Sequence, residues 1–269
     1  MLPDFRLVRP TTLEEALAQI GEDALPYAGG TELFIAMRGR LLQPGTLVDL
    51  KRVRGLADIR VDDGWLVVGA AATHDAVAGS EAVREHAPLL ADVAPGVGNP
   101  RVRAAGTVGG NLCFAEPKSD VVTALVALGA ELTLASAEDT RTVPAAEFHR
   151  GPYWTVREDR ELLTEIRIPP APDRRGVYVK FQTRERPTVG VALVTDWGSG
   201  ACRLVVGAVG EVPVSLEFPS LGAVDPAAAA EAVDPVADLT ESVEYKRHVT
   251  AVMAARAKER LEEAVAGAR

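Results

Sequence analysis

Residues 25–50 read LPYAGGTELFIAMRGRLLQPGTLVDL, and this stretch decides how the chain begins to fold. Residues 25–28 are a short apolar run suited to a strand, and residues 32–40 repeat apolar side chains at helical spacing. Pro44 and Gly45 make a turn, after which residues 46–50, TLVDL, form a second strand. Strand, helix and strand of these lengths predict a small parallel sheet. The glycine turn Ala28-Gly29-Gly30-Thr31-Glu32 then falls at a strand's carboxyl end, where open α/β sheets bind ligands. Adjacent glycines permit φ > 0 and close approach of bare backbone. Successive N–H groups exposed that way form a nest for an anion such as a pyrophosphate.

A second glycine patch, GTVGGNLC at residues 106–113, has the same character. Neither patch is a G-x-G-x-x-G opening a clean βαβ unit, and neither reads G-x-x-x-x-G-K-[ST], which argues against a Rossmann site and a P-loop. Taken singly, each patch reads equally well as a tight turn.

The rest of the chain alternates. Thr11 or Thr12 starts a helix over residues 13–20 with Glu15 completing a capping box, and Gly21 marks its end. Residues 59–61 and 65–70 flank Asp62-Asp63-Gly64, a hairpin signal. Helical spacing follows over residues 73–83 and 86–94. Ser119 or Asp120 opens a helix closed by Gly129, and residues 131–136 and 141–144 pair as a hairpin. The proline run at 169–172 is the best boundary in the chain. Beyond it come three strands, 177–182, 189–195 and 202–210, with a Gly-Ser-Gly turn at 198–200. A loose alanine-rich stretch, 223–233, leads to a final helix over Val243 to Ala266, with Val249, Met253, Ala257 and Leu261 in one stripe expected to pack on its own domain's sheet.

Composition narrows the function. The 269 residues suffice for two domains, and 47% apolar with 25% charged residues is ordinary for a soluble globular protein. A net charge of −9, without a basic stripe, argues against nucleic acid or an anionic membrane as partner. No apolar run has the length of a signal peptide or a membrane span, and Cys113 and Cys202 look unpaired, so a cytoplasmic location is expected. An iron–sulfur cluster takes about four thiolates, so this chain does not supply one. His74, His86, His149 and His248 show no metal-ligand spacing, and no metal site is expected.

Four segments, residues 26–53, 98–132, 161–169 and 243–261, together resemble the flavin subunit of the molybdenum hydroxylases. That family includes the medium subunit of carbon monoxide dehydrogenase and the flavin domain of xanthine dehydrogenase. The resemblance runs from about Phe5 to about Glu263. With the element pattern it implies an α+β fold: an FAD-binding domain over residues 1–170, then a C-terminal domain of antiparallel strands and helices over 171–269. The first domain would comprise a small parallel part, about 1–55, and a mixed or antiparallel sheet with helices, about 56–170.

The resemblance also implies site residues. Ala28, Gly29, Gly30, Thr31 and Glu32 would wrap the pyrophosphate of a non-covalent FAD through backbone amides, at the start of a helix whose N-terminal partial charge favours phosphates. Thr107, Val108, Gly109, Gly110 and Asn111 match the second flavin-binding segment, with hydrogen bonds from the Thr107 hydroxyl and the Asn111 amide. Asp120 would accept from ribose hydroxyls on the adenosine side, its alternative role being helix N-cap. Lys180 would lie beside the flavin ring and raise its potential, or else be a solvated strand lysine; Leu163 would touch the flavin through its backbone. Lys118 and Ser119, and residues 185–190 (ERPTVG), depart from the family pattern and bear on the adenosine half and on the approach to the ring.

The implied function is an FAD-carrying oxidoreductase subunit, taking electrons from iron–sulfur clusters on one partner chain and passing them to NAD, a quinone or oxygen. A molybdenum cofactor would sit on a second partner, and the family allows a dimer of heterotrimers. No catalytic acid or base is assigned. The alternatives are a free-standing FAD-dependent oxidoreductase acting directly on a small substrate, and a glycine-turn scaffold without flavin.

Overall fold

The opening residues fold as β1 (Arg6–Val8), α1 (Leu13–Leu17), β2 (Ala24–Tyr27), α2 (Leu33–Arg38) and β3 (Thr46–Asp49) in the computed structural model, which describes residues 2–196, 199–238 and 241–267. β3 lies between β1 and β2 and is parallel to both, so the predicted parallel sheet is present with one strand more than expected. Thr12, not Thr11, caps α1, and Glu15 closes the capping box. α1 ends at Leu17; Gly21 instead pairs with Ala24 in an isolated bridge.

Residues 59–168 supply β4 (Ile59–Asp62), β5 (Trp65–Gly69), α3 (His74–Gly79), α4 (Glu81–His86), α5 (Pro88–Val93), α6 (Pro100–Ala105), α7 (Val108–Phe114), α8 (Asp120–Ala127), β6 (Glu131–Ala135), β7 (Thr140–Pro144), α9 (Ala145–Phe148), β8 (His149–Gly151), β9 (Trp154–Thr155) and β10 (Leu162–Ile168). Asp63 and Gly64, with φ of 47° and 81°, make the β4–β5 hairpin turn of type I′, whose two central residues are both left-handed. The stretch 73–83 is two helices rather than one. Extended Ser80 ends α3, and its hydroxyl accepts from the Val83 amide to cap α4. A five-stranded antiparallel sheet runs β4-β5-β10-β6-β7.

After Pro169–Pro172 the chain enters a second antiparallel sheet, a meander of β11 (Arg174–Phe181), β12 (Val189–Asp196), β13 (Cys202–Gly207) and β14 (Val214–Phe218), followed by α10 (Pro226–Ala232) and α11 (Val243–Ala266). β14 and α10 correct the three-strand and loose-stretch expectations. Residues 214–218 (VSLEF) alternate in burial as an edge strand does, while Asp225 caps α10 with Pro226 in its first turn. Gly198 of the expected Gly-Ser-Gly turn lies outside the described residues.

Helix α8 sits between the two large sheets. All eight of its residues are buried, its neighbours being β12 and β13 of the second sheet together with α5, α7 and α9. Gly207 allows the close approach, because a Cβ there would collide with the Thr123 hydroxyl. On the far face of the second sheet, α11 lays down Val249, Met253, Ala257 and Leu261 as predicted, with Lys246, Thr250 and Ala254 extending the stripe. Each fully buried aliphatic side chain there contributes roughly 1.5–3 kcal/mol. No helix among the described residues is long and apolar enough to cross a membrane, and no cluster of His, Cys, Asp or Glu among them could hold a metal ion.

Candidate functional site

Both glycine patches open on one cavity of about 740 Å³, bounded by the parallel sheet, the helices of residues 74–114 and the loop between β11 and β12. Ala28, Gly29, Gly30, Thr31, Glu32, Thr107, Gly109, Gly110, Asn111, Asp120, Leu163 and Lys180 all line it. This volume falls in the range of small-molecule and cofactor pockets.

The patches do different work. In the first, β2 ends at Tyr27 and the chain turns before α2. Gly30 has φ of 70°, and a Cβ there would come within 2.7 Å of the Tyr27 and Phe34 rings, themselves packed with centroids 5.2 Å apart. The amides of Gly29, Gly30 and Thr31 donate to no group among the described residues. Three consecutive open donors at the edge of a cavity are what an anion needs.

The second patch is not a turn. Gly109 and Gly110 lie in the first turn of α7, and neither has φ > 0, which corrects the expectation of left-handed backbone there. Its amides are already used: Val108 donates to Ala72, Gly109 to Ala70 and Asn111 to Thr107 carbonyls, and Gly110 to the Thr107 hydroxyl. Thr107 is thus a helix cap. The glycines here serve packing, since a Cβ on Gly109 would lie 2.5 Å from the Ala70 Cβ. Gly29 likewise faces protein: its Cβ would collide with the Ala105 carbonyl oxygen and sit 2.7 Å from the Gly106 Cα. The two patches therefore touch each other, and the absence of side chains is what lets them meet.

Ser119 Oγ donates to Asn111 Oδ1 at 2.6 Å, which turns the Asn111 amide nitrogen outward as the remaining donor. The same Ser119 caps α8, so the capping role weighed for Asp120 belongs to its neighbour. The buried Asp120 carboxylate accepts from Tyr178 Oη at 2.6 Å and from Lys180 Nζ at 2.7 Å. Burial beside that carboxylate pushes the Tyr178 hydroxyl well above its usual range. Lys180 is therefore no free solvated lysine. The ion pair brings Asp120, expected on the adenosine side of FAD, and Lys180, expected beside the flavin ring, within 2.7 Å of each other.

At another edge Arg186, from the loop between β11 and β12, links the first patch to Glu116, which follows α7. It pairs with Glu32 at 3.0 Å and with Glu116 at 2.5 Å, and Glu116 also accepts from Tyr153 Oη at 2.9 Å. Lys118, the other departure from the family pattern, pairs with Asp238 at 3.4 Å. Leu163 sits in β10 beside a β-bulge, its side chain in the core and opposite Leu134. Sequence reading did not assign His74, Gly96 to Asn99 or Cys113 to the site, yet they also line the cavity. Cys113 is a free thiol pushed up to about 11 by burial, so it is protonated at neutral pH. His74, Gly96 and Val97 lie outside every motif, and their place follows only from how the helices pack against the first patch.

A family model described as the FAD binding domain in molybdopterin dehydrogenase matches residues 3–171. The carbon monoxide dehydrogenase medium chain of Afipia carboxidovorans is 33% identical, over 97% of this chain and 98% of its own length. The 6-hydroxypseudooxynicotine dehydrogenase complex subunit alpha of Paenarthrobacter nicotinovorans is 30% identical, over 94% of this chain and 93% of its own. A solved structure of carbon monoxide dehydrogenase from Hydrogenophaga pseudoflava superposes with a TM-score of 0.90 at 30% identity, covering 98% of this chain and 99% of that one.

Proposed function

The chain belongs to the family of FAD-binding domains of molybdopterin dehydrogenases, and from that premise we propose that it carries electrons through a bound FAD between an iron–sulfur partner chain and an acceptor such as NAD, a quinone or oxygen. The observation that supports this most directly is the row of open amides at Gly29, Gly30 and Thr31 on a cavity of about 740 Å³. Three adjacent backbone N–H groups form the kind of nest in which a diphosphate oxygen is held. When bound, the flavin supplies the redox chemistry; the protein supplies position and electrostatics.

In this reading the first patch holds the pyrophosphate, and Asn111 adds a directed donor. The ion pair of Asp120 and Lys180, buttressed by Tyr178, sets the local field at one end of the cofactor. Arg186 ties Glu32 of the first patch to Glu116, just beyond α7, at the cavity's edge. Residues 1–170 are proposed as the FAD-binding domain, with 171–269 as a second domain that contributes Lys180 and Arg186 to its site. No cluster of His, Cys, Asp or Glu among the described residues could hold a metal ion, and a similar protein is the medium chain of a larger dehydrogenase; a molybdenum-cofactor chain is therefore proposed as second partner.

Purified protein should carry FAD non-covalently, and acid or heat should release it intact. Recovery of FMN alone would remove the role given to the amides of the first patch.

A further inference from the structure

His74 is the one histidine among the residues lining the cavity, and it is 2% exposed. It is held where the two glycine patches meet. Its backbone amide donates to the Gly106 carbonyl at 3.0 Å, and Thr73 bridges to Thr107. A methyl placed on Gly106 would sit 3.4 Å from the His74 Cδ2 and 3.4 Å from the Thr31 Oγ1. The Cδ2 edge of the imidazole thus faces the same small space as the first patch.

The ring's other edge settles its tautomer. Nδ1 is buried without a hydrogen-bond partner. A buried N–H left unpaired is rarer and costlier than a buried acceptor left unpaired, so Nδ1 holds the lone pair and Nε2 carries the proton. Nε2 is bonded to Cδ2 and forms no hydrogen bond with the described residues. The Asp75–Arg103 pair beside the ring, at 3.4 Å, leaves little net charge on it, and burial lowers the imidazole to about 4, so it is neutral at pH 7. A neutral imidazole with an open Nε2–H remains, next to the row of open amides.

We infer that His74 is a further cofactor contact, donating from Nε2 to a phosphate oxygen of the FAD seated between the patches. The inference rests on the FAD reading above. It gives the site a side-chain donor on α3, an element that no glycine motif marks.

The test uses the full chain, stripped of flavin, titrated with FAD by calorimetry. His74→Leu keeps the volume and removes the donor, and His74→Gln keeps an N–H near the Nε2 position. A hydrogen bond to a charged oxygen predicts that the leucine variant binds FAD roughly ten- to a hundredfold more weakly, while the glutamine variant stays within about threefold of the parent. Imidazole ¹⁵N spectra of the unsubstituted protein decide the matter independently of how the variants fold. His74 should show the Nε2–H form without ligand and a shifted Nε2 resonance with FAD. Equal affinity of leucine variant and parent, or an Nε2 resonance that ignores FAD, overturns the inference while leaving the FAD reading intact. Failure of the parent itself to bind FAD overturns both.

Discussion

Gly109 and Gly110 are neighbours in the first turn of α7, yet they stand under different constraints. A Cβ on Gly109 meets the Ala70 Cβ at 2.5 Å and its carbonyl oxygen at 2.6 Å, and a backbone atom cannot rotate away. A Cβ on Gly110 meets only the Thr107 hydroxyl at 2.9 Å. Gly109→Ala should therefore cost roughly 1–3 kcal/mol through overpacking, whereas Gly110→Ala should cost at most about 1 kcal/mol, the worth of a disturbed cap. Denaturant midpoints at equal m-value separate them, and equal losses would refute the packing argument. His74 supplies a pH prediction at the same scale. Its folded value, about 4, lies below the ordinary 6.5, so as pH falls the unfolded chain takes up the proton first. Its stabilising share is complete above about pH 6.5 and is lost progressively toward pH 4, amounting to about 2 kcal/mol by pH 5. Half-buried His149 is shifted in the same direction for the same reason. Unfolding measured at pH 7.5 and 5 should show this decline, and His74→Leu should lessen it, leaving the share of His149.

Among elements, α11 was the most legible and α10 the least. The stripe Val249, Met253, Ala257 and Leu261 contrasts with charged positions between them, and Ser242 caps the start, so bounds and buried face could both be read. The sequence around α10 is nearly all alanine, which carries no contrast between faces; only Asp225 and Pro226 mark its start. β14 was missed although residues 214–218 alternate, because an edge strand shows half its side chains to water and resembles a loop in composition. One charge on α11 breaks the apolar rule and makes a prediction. Lys246 is 2% exposed and donates to the Val236 carbonyl at 2.7 Å and to Asp238 at 2.9 Å, with Glu241 at 3.9 Å. Asp238 is one-third exposed and keeps Lys118 as a partner, so Lys246→Met chiefly strips the Val236 carbonyl and buried Glu241 of their cation and should destabilise the fold by about 1–3 kcal/mol, the cost of leaving buried acceptors unpaired. A loss below about 1 kcal/mol would mean that solvent reaches this network.

For the whole molecule, the proposed function predicts that the isolated, flavin-loaded chain reduces dyes from NADH at most, and does not hydroxylate organic substrates. Substrate-dependent bleaching of its flavin in the absence of partners would favour the free-standing oxidoreductase. Full activity should need co-expression with the iron–sulfur and molybdenum chains. The sequence by itself determined the local units: a parallel β-α-β opening, hairpins with left-handed turns, capped helices and the amphipathic α11. It did so because caps, turns and periodicity act over a few residues. It also brought forward twelve residues that share one cavity. Only the tertiary structure decided what those residues do to one another. Asp120 and Lys180 are sixty residues apart in the chain yet form a 2.7 Å ion pair, and Gly29 meets Ala105 and Gly106 across two elements. It alone showed that the second patch is a helix with satisfied amides, while the first keeps its donors open. The physical reason is that a glycine pair specifies permission, not conformation: whether the backbone turns, coils or packs closely is fixed by the neighbours that burial brings against it.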